Sequence, residues 1–96
     1  MKKPLLNNPK NKYICPVCNF DGLDEPPYNS CGSGSYEICP CCGFEFGLDD
    51  FGYDSYEKAH AVWRKKWIDN GCIWWPSQEN RKPKDWDPIK QLNKNK

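Results

Sequence analysis

Cys15-Pro16-Val17-Cys18 and Cys39-Pro40-Cys41-Cys42-Gly43 decide how this chain folds. They are two C-x2-C units separated by twenty residues, the interval of a four-cysteine zinc site. Two residues between cysteines let the chain turn so that both thiolates reach one ion at about 2.3 Å. Two such turns complete a tetrahedron. Each turn carries a proline that pre-sets φ. The residue that follows each turn should adopt a left-handed conformation while backbone N–H groups point at the sulfurs. Gly43 does this freely, and Asn19 is the best substitute that is not glycine. The expected ligands are Cys15, Cys18, Cys39 and Cys42, holding one structural Zn2+.

Iron also accepts four thiolates in a tetrahedron, so a rubredoxin-like iron electron carrier is the lesser alternative. Thioredoxin-like redox pairs fit less well, because neither unit follows a βαβ pattern or opens a helix. Working outward, 96 residues make one small domain, and only 38% of them are hydrophobic. A chain this short and polar needs a staple. No apolar run approaches the roughly 18 residues of a membrane span. The beginning, Met1-Lys2-Lys3-Pro4-Leu5-Leu6-Asn7-Asn8, has no apolar stretch of signal-peptide length. A cytoplasmic location is therefore expected, where clustered cysteines serve as metal ligands before disulfides.

The formal net charge of +1 hides three blocks. Residues 1–20 carry +4, residues 21–57 carry −9 with no base, and residues 58–96 carry +6. An acidic centre is poorly suited to pressing against phosphates and well suited to meeting a basic partner. The alternative is that acidic and basic blocks fold onto each other and cancel.

Residues 1–11 are polar and lysine-rich, and a basic arm is expected there. Residues 12–96 are expected to form a single domain. Short strands should enter the turns at 12–15 and 36–39 and leave the second at 44–46. Asn29 to Ser35 reads as a flexible, low-complexity stretch. The one long helix is predicted over 55–70, capped by Asp54 or Ser55, with Asp54 and Glu57 resembling a capping box. Tyr56, Ala59, His60, Trp63 and Trp67 fall on one stripe that should cover the cysteine turns. Arg64, Lys65 and Lys66 suit the helix C-terminus, and Gly71 is placed to end it. A tail over 72–96 follows, and Asp87-Pro88 opens a helix of at most two turns through Leu92.

Cys31, Cys41 and Cys72 are left as spare thiols. With one histidine, His60, and no matched acid–base pair, no catalytic constellation is visible, so an enzyme is not expected. Function then belongs to a surface. The expected partner-contacting residues are Glu45, Asp49, Asp50 and Asp54, together with Trp74 and Trp75, since tryptophans concentrate binding energy. A nucleic-acid interface through the basic helix end (Arg64, Lys65, Lys66) and the tail, with Arg81, Lys82, Lys84 and its tryptophans, is the alternative. Tail tryptophans that wrap the domain and complete its core are a third reading.

Tyr13-Ile14-Cys15-Pro16-Val17-Cys18, Asp24-Glu25-Pro26-Pro27 and Ser35-Tyr36-Glu37-Ile38-Cys39-Pro40-Cys41-Cys42-Gly43-Phe44 resemble the bacterial cysteine-rich CPCC-type proteins. Arg64 to Gly71, Trp74-Trp75 and Lys82-Pro83-Lys84-Asp85-Trp86 extend the likeness, which covers roughly residues 12–92. Here a loop holding Cys31 lengthens the link after the diproline, and Asn19 stands where glycine is common. The resemblance implies a rubredoxin-like or zinc-ribbon metal site and a bacterial cytosolic protein. The residues together lead us to expect a small α+β fold, with zinc-ribbon (rubredoxin-like) hairpins, one long helix packed on them and a Trp-rich tail. Because some members are encoded beside bacterial toxins, the resemblance further implies a toxin-neutralising (immunity) or adaptor role.

Overall fold

The two cysteine turns are near copies of each other in the computed structural model, which describes residues 12–94. In the first, the Cys15 N–H donates to the Phe20 carbonyl at 2.7 Å and the Asn19 N–H donates to the Cys15 carbonyl at 2.8 Å. In the second, Cys39 donates to Phe44 and Gly43 donates to Cys39, both at 2.9 Å. Asn19 (φ 72°) and Gly43 (φ 81°) are both left-handed, as the sequence requires of them. The basic arm expected over 1–11 lies outside the described residues.

The expected strands shrink to isolated antiparallel bridges, Tyr13 with Leu23 and Ile38 with Glu45. Local chemistry explains why. Tyr36 has φ 66°, and both Tyr36 and Glu37 face Phe46 in a bulge that halts the second ladder. The Glu37 carboxylate accepts from the N–H groups of Asp24 and Glu25 at 3.0 and 3.1 Å. Pro26 and Pro27 follow, with no N–H to offer a ladder. A third bridge joins Tyr28 and Gly34. The stretch expected to be low-complexity and flexible is instead a defined turn. Asn29 Oδ1 accepts from the Cys31 and Ser33 N–H groups at 2.9 and 3.0 Å.

Helix α1 spans Tyr56–Asp69. Ser55 is its cap, its hydroxyl accepting from the Lys58 N–H, so the Asp54–Glu57 box is not the device used. At the other end the Gly71 N–H reaches the Ile68 carbonyl and the Cys72 N–H reaches Trp67, a Schellman closure with Gly71 at φ 100°. Ala59, His60 and Trp67 are buried along the expected stripe, whereas Tyr56 is exposed. A short 3-10 segment, Pro76–Arg81, and helix α2, Pro88–Asn93, complete the fold. Asp87 caps α2 through its carboxylate, as its place before Pro88 predicts. The result is a small domain with few helices and little strand.

Its core is built from sulfur and aromatic rings. Cys15, Cys18, Cys39, Cys41 and Cys42 are buried together with Val17, Leu23, Phe44 and Phe46. Phe44 meets Trp63 edge-on at 5.3 Å, which docks α1 on the second turn. Trp74 meets Phe20 at 5.4 Å and Trp86 at 5.1 Å. The tail therefore wraps the domain, and each edge-on aromatic pair adds about 0.5–1.5 kcal/mol beyond the area it buries. Among the described residues, no helix is long and apolar enough to cross a membrane.

Candidate metal centre

The structure brings Cys15, Cys18, Cys39 and Cys42 together, with their sulfurs all within 4.8 Å of one another. Two of the separations are 3.9 Å (Cys15 to Cys42) and 3.7 Å (Cys18 to Cys39). A metal–sulfur bond of about 2.3 Å in tetrahedral geometry requires sulfurs about 3.8 Å apart. The cage therefore has the right size for a thiolate-bound ion. Its repeated form follows from the repeated turn. The Val17 N–H points at the Cys15 sulfur and the Cys41 N–H points at the Cys39 sulfur, both at 3.4 Å.

Electrostatics favour an ion as well. Burial raises the thiols of Cys18 and Cys42 well above the usual range. Burial also works against ionisation of Cys39, but hydrogen bonds from Cys15, Cys18 and Cys42 outweigh it and hold that thiol low. A divalent cation displaces the remaining protons and neutralises thiolates that burial alone resists.

Three side chains far away in sequence clamp the turns. From α1, Trp63 donates through its indole N–H to the Cys42 carbonyl at 3.1 Å. Arg64 donates from Nε to the Val17 carbonyl at 2.7 Å and from a terminal nitrogen to the Pro16 carbonyl at 2.8 Å. From α2, buried Gln91 donates through Nε2 to the Cys18 carbonyl at 2.9 Å and towards the Cys41 sulfur at 3.4 Å. Its Oε1 accepts from Trp86, and its backbone carbonyl accepts from Asn19. The sequence offered Arg64 only as a charge at a helix end and did not single out Gln91. The only available signal was Gln91 lying four residues after the capping Asp87, on the inward face of a two-turn helix.

The residues expected to meet a partner separate into two groups. Asp50 is buried, accepting from the Tyr28 hydroxyl at 2.5 Å and from the Gly47 N–H at 3.0 Å. Trp74 is buried too, with its indole N–H given to the Gln78 carbonyl. Neither offers an accessible contact, which corrects the expectation for both. Glu45 and Asp49 are half-buried and linked, the Glu45 N–H donating to the Asp49 carboxylate at 2.8 Å. Asp54 is exposed, and Trp75 is half-buried against the second cysteine turn.

The remaining sulfurs are spares: Cys41 and Cys72 are buried, and Cys31 is exposed. His60 contacts none of the four ligands. Its Nε2 lies 2.8 Å from the Tyr28 hydroxyl, extending the Asp50–Tyr28 pair into a buried chain of three. Burial lowers the His60 imidazole below its ordinary value, Asp50 pulling the other way. Burial and the Asp50 carboxylate raise the Tyr28 hydroxyl far out of its usual range.

The chain is 33% identical over 72 aligned residues to the uncharacterized protein YoaQ of Bacillus subtilis strain 168, covering 64% of this chain and 61% of the relative. It is 35% identical over 71 residues to the uncharacterized protein YozI of the same strain, covering 62% and 59%. The chain thus spans about three fifths of the length of these relatives. No family model and no solved structure matches it.

Proposed function

We propose that the four cysteines hold one structural zinc ion in a zinc-ribbon-like, rubredoxin-like pair of turns, and that the domain is a protein-binding module. The observation that carries the reading is the closed cage. Four buried thiols at tetrahedral spacing leave no position for water or substrate on the ion, so its work is to fold the chain. A cage with nothing left to catalyse supports a surface function in an adaptor or toxin-neutralising protein, acting through Glu45, Asp49, Asp54 and Trp75.

Charge pairing favours a protein partner over nucleic acid. Arg81 lies 3.8 Å from Asp24, Lys82 3.3 Å from Glu79, and Lys94 2.6 Å from Asp21. Three of the tail's five described bases are thus paired within the chain, all but Lys84 and Lys90, which weakens a phosphate-binding role. Metal analysis of the native protein tests the first half: one zinc per chain and no visible colour is the expected result, and iron in its place sinks it. For the second half, a purified candidate partner should associate more slowly with the Asp49→Lys, Asp54→Lys variant, with a weaker salt dependence. Unchanged rates count against the acidic surface.

A further inference from the structure

Two features of the surface have no use inside the molecule, and their chemistries are opposite. The first is a knob. Phe51 is 86% exposed, and Leu48 beside it is 58% exposed. This is not a loose loop. The Phe51 N–H donates to the Leu48 carbonyl at 3.2 Å, and Leu48 and Asp49 donate to the Glu45 carbonyl. Buried Asp50 fastens the loop to Tyr28 and Gly47. An aromatic ring is thus held out in water on a hydrogen-bonded turn, with Asp49 and exposed Asp54 two and three positions away along the chain.

The second is a groove of about 490 Å³ along the last turns of α1, lined by Trp63, Lys66, Trp67, Ile73, Trp75 and Pro76. Four of the five tryptophans donate their indole N–H to a carbonyl or amide oxygen of the chain. Among the described residues Trp75 is the one that does not, and it leaves no buried polar atom unsatisfied. Its N–H is therefore a donor open to solvent. Lys66, also in the groove, makes no ion pair among the described residues. The groove offers aromatic surface, one free donor and one free cation, which is what an aromatic knob flanked by carboxylates requires.

We propose that the Phe51 knob of one copy seats in the Trp75 groove of a second copy. A chain cannot fill its own groove: Asp50 ties the knob beside His60 near the start of α1, whereas the groove flanks the end of the helix. Phe51 is 86% exposed and does not line the groove, so within one chain the two stay apart. Seated reciprocally, the contact closes a two-fold dimer; seated singly, it repeats head to tail. The inference rests on the protein-binding reading and names the partner as the chain itself.

Sedimentation velocity of the zinc-loaded protein, from micromolar to millimolar, tests it. The expected mass-average rises above one chain with concentration and falls as salt is added. Phe51→Ser should weaken association roughly tenfold or more, the loss typical of an anchoring aromatic. Trp75→Ala should do the same. Because Trp75 packs on Gly43, Lys66→Glu serves as a second groove variant that leaves the turn untouched. Mixing the knob variant with a groove variant should restore one contact, and only one, giving a dimer that does not grow. A wild type that stays monomeric, variants that associate normally, or a mixture that forms no dimer each overturn the seating. If zinc content and circular dichroism are intact in those cases, the protein-binding reading stands apart and keeps its own test.

Discussion

Replacing Gln91 by methionine keeps the side chain's length and volume and removes its amide. The Cys18 carbonyl then loses its donor at 2.9 Å, and the Trp86 indole N–H loses its acceptor at 2.8 Å. Cys18 is fully buried, so water cannot replace the first partner. An orphaned buried carbonyl costs about 1–3 kcal/mol and the half-exposed indole about 1 more, so the expected loss is roughly 2–4 kcal/mol. That is a large share of the ~5–15 kcal/mol that holds a domain of this size together. It lowers Tm by about 8–30 °C at roughly 4–8 °C per kcal/mol. Urea unfolding in excess zinc, followed by tryptophan fluorescence, measures it without confusing stability with metal loss. Gln91→Glu should be worse than Gln91→Met, because it retains an acceptor for Trp86 but sets a negative charge beside the cysteine cluster. A methionine variant within about 0.5 kcal/mol of wild type would refute the claim that this amide joins α2 to the metal turns.

Removal of the metal by a strong chelator, or Cys15→Ser or Cys42→Ser, should abolish the near-ultraviolet circular dichroism of the buried tryptophans; a folded apo protein resistant to chelation would overturn the structural role of the ion. Gly43→Ala should cost about 2–4 kcal/mol in the same unfolding assay, because φ is 81° and the added Cβ would sit 2.2 Å from the Trp75 ring. His60 is held neutral by burial, so the stability tied to it is complete above its ordinary value near 6.5. That stability drains as pH falls from there towards the depressed folded value, with a slope of at most about 1.4 kcal/mol per pH unit. His60→Gln should flatten the difference in stability between pH 8 and pH 5, measured with zinc present, and an unchanged profile would assign the acid sensitivity to the thiols instead.

How far the sequence could be read follows from the range of the chemistry involved. The four-cysteine cluster was legible because a cysteine turn is local: Cys15 to Asn19 and Cys39 to Gly43 contain the proline, the left-handed residue and both sulfurs. The span of α1 was legible to within one residue at each end, since Ser55 and Gly71 act on the turn beside them. The clamps were not legible. Gln91 reaches Cys18 across 73 positions, and Arg64 reaches Pro16 across 48. An arginine at a helix end or a glutamine in a charged tail carries no sign of so distant a carbonyl. The strands failed for a related reason, because the bulge at Tyr36 depends on an opposing segment that periodicity along one strand does not include.

Asp50 shows how charge counting along a chain can mislead in a small domain. In sequence it is one of nine acids in an unbroken acidic block; in the fold its carboxylate is an internal acceptor that holds the loop in place. Lys12 and Arg81 neutralise Asp24, and Lys94 neutralises Asp21, so the blocks partly cancel across the fold. Among the described residues Glu45, Asp49, Asp54 and Glu57 make no ion pair, and neither do Lys58 and Lys66 on α1. The near-zero net charge therefore covers a partial cancellation across the fold that the order of charges along the chain does not show.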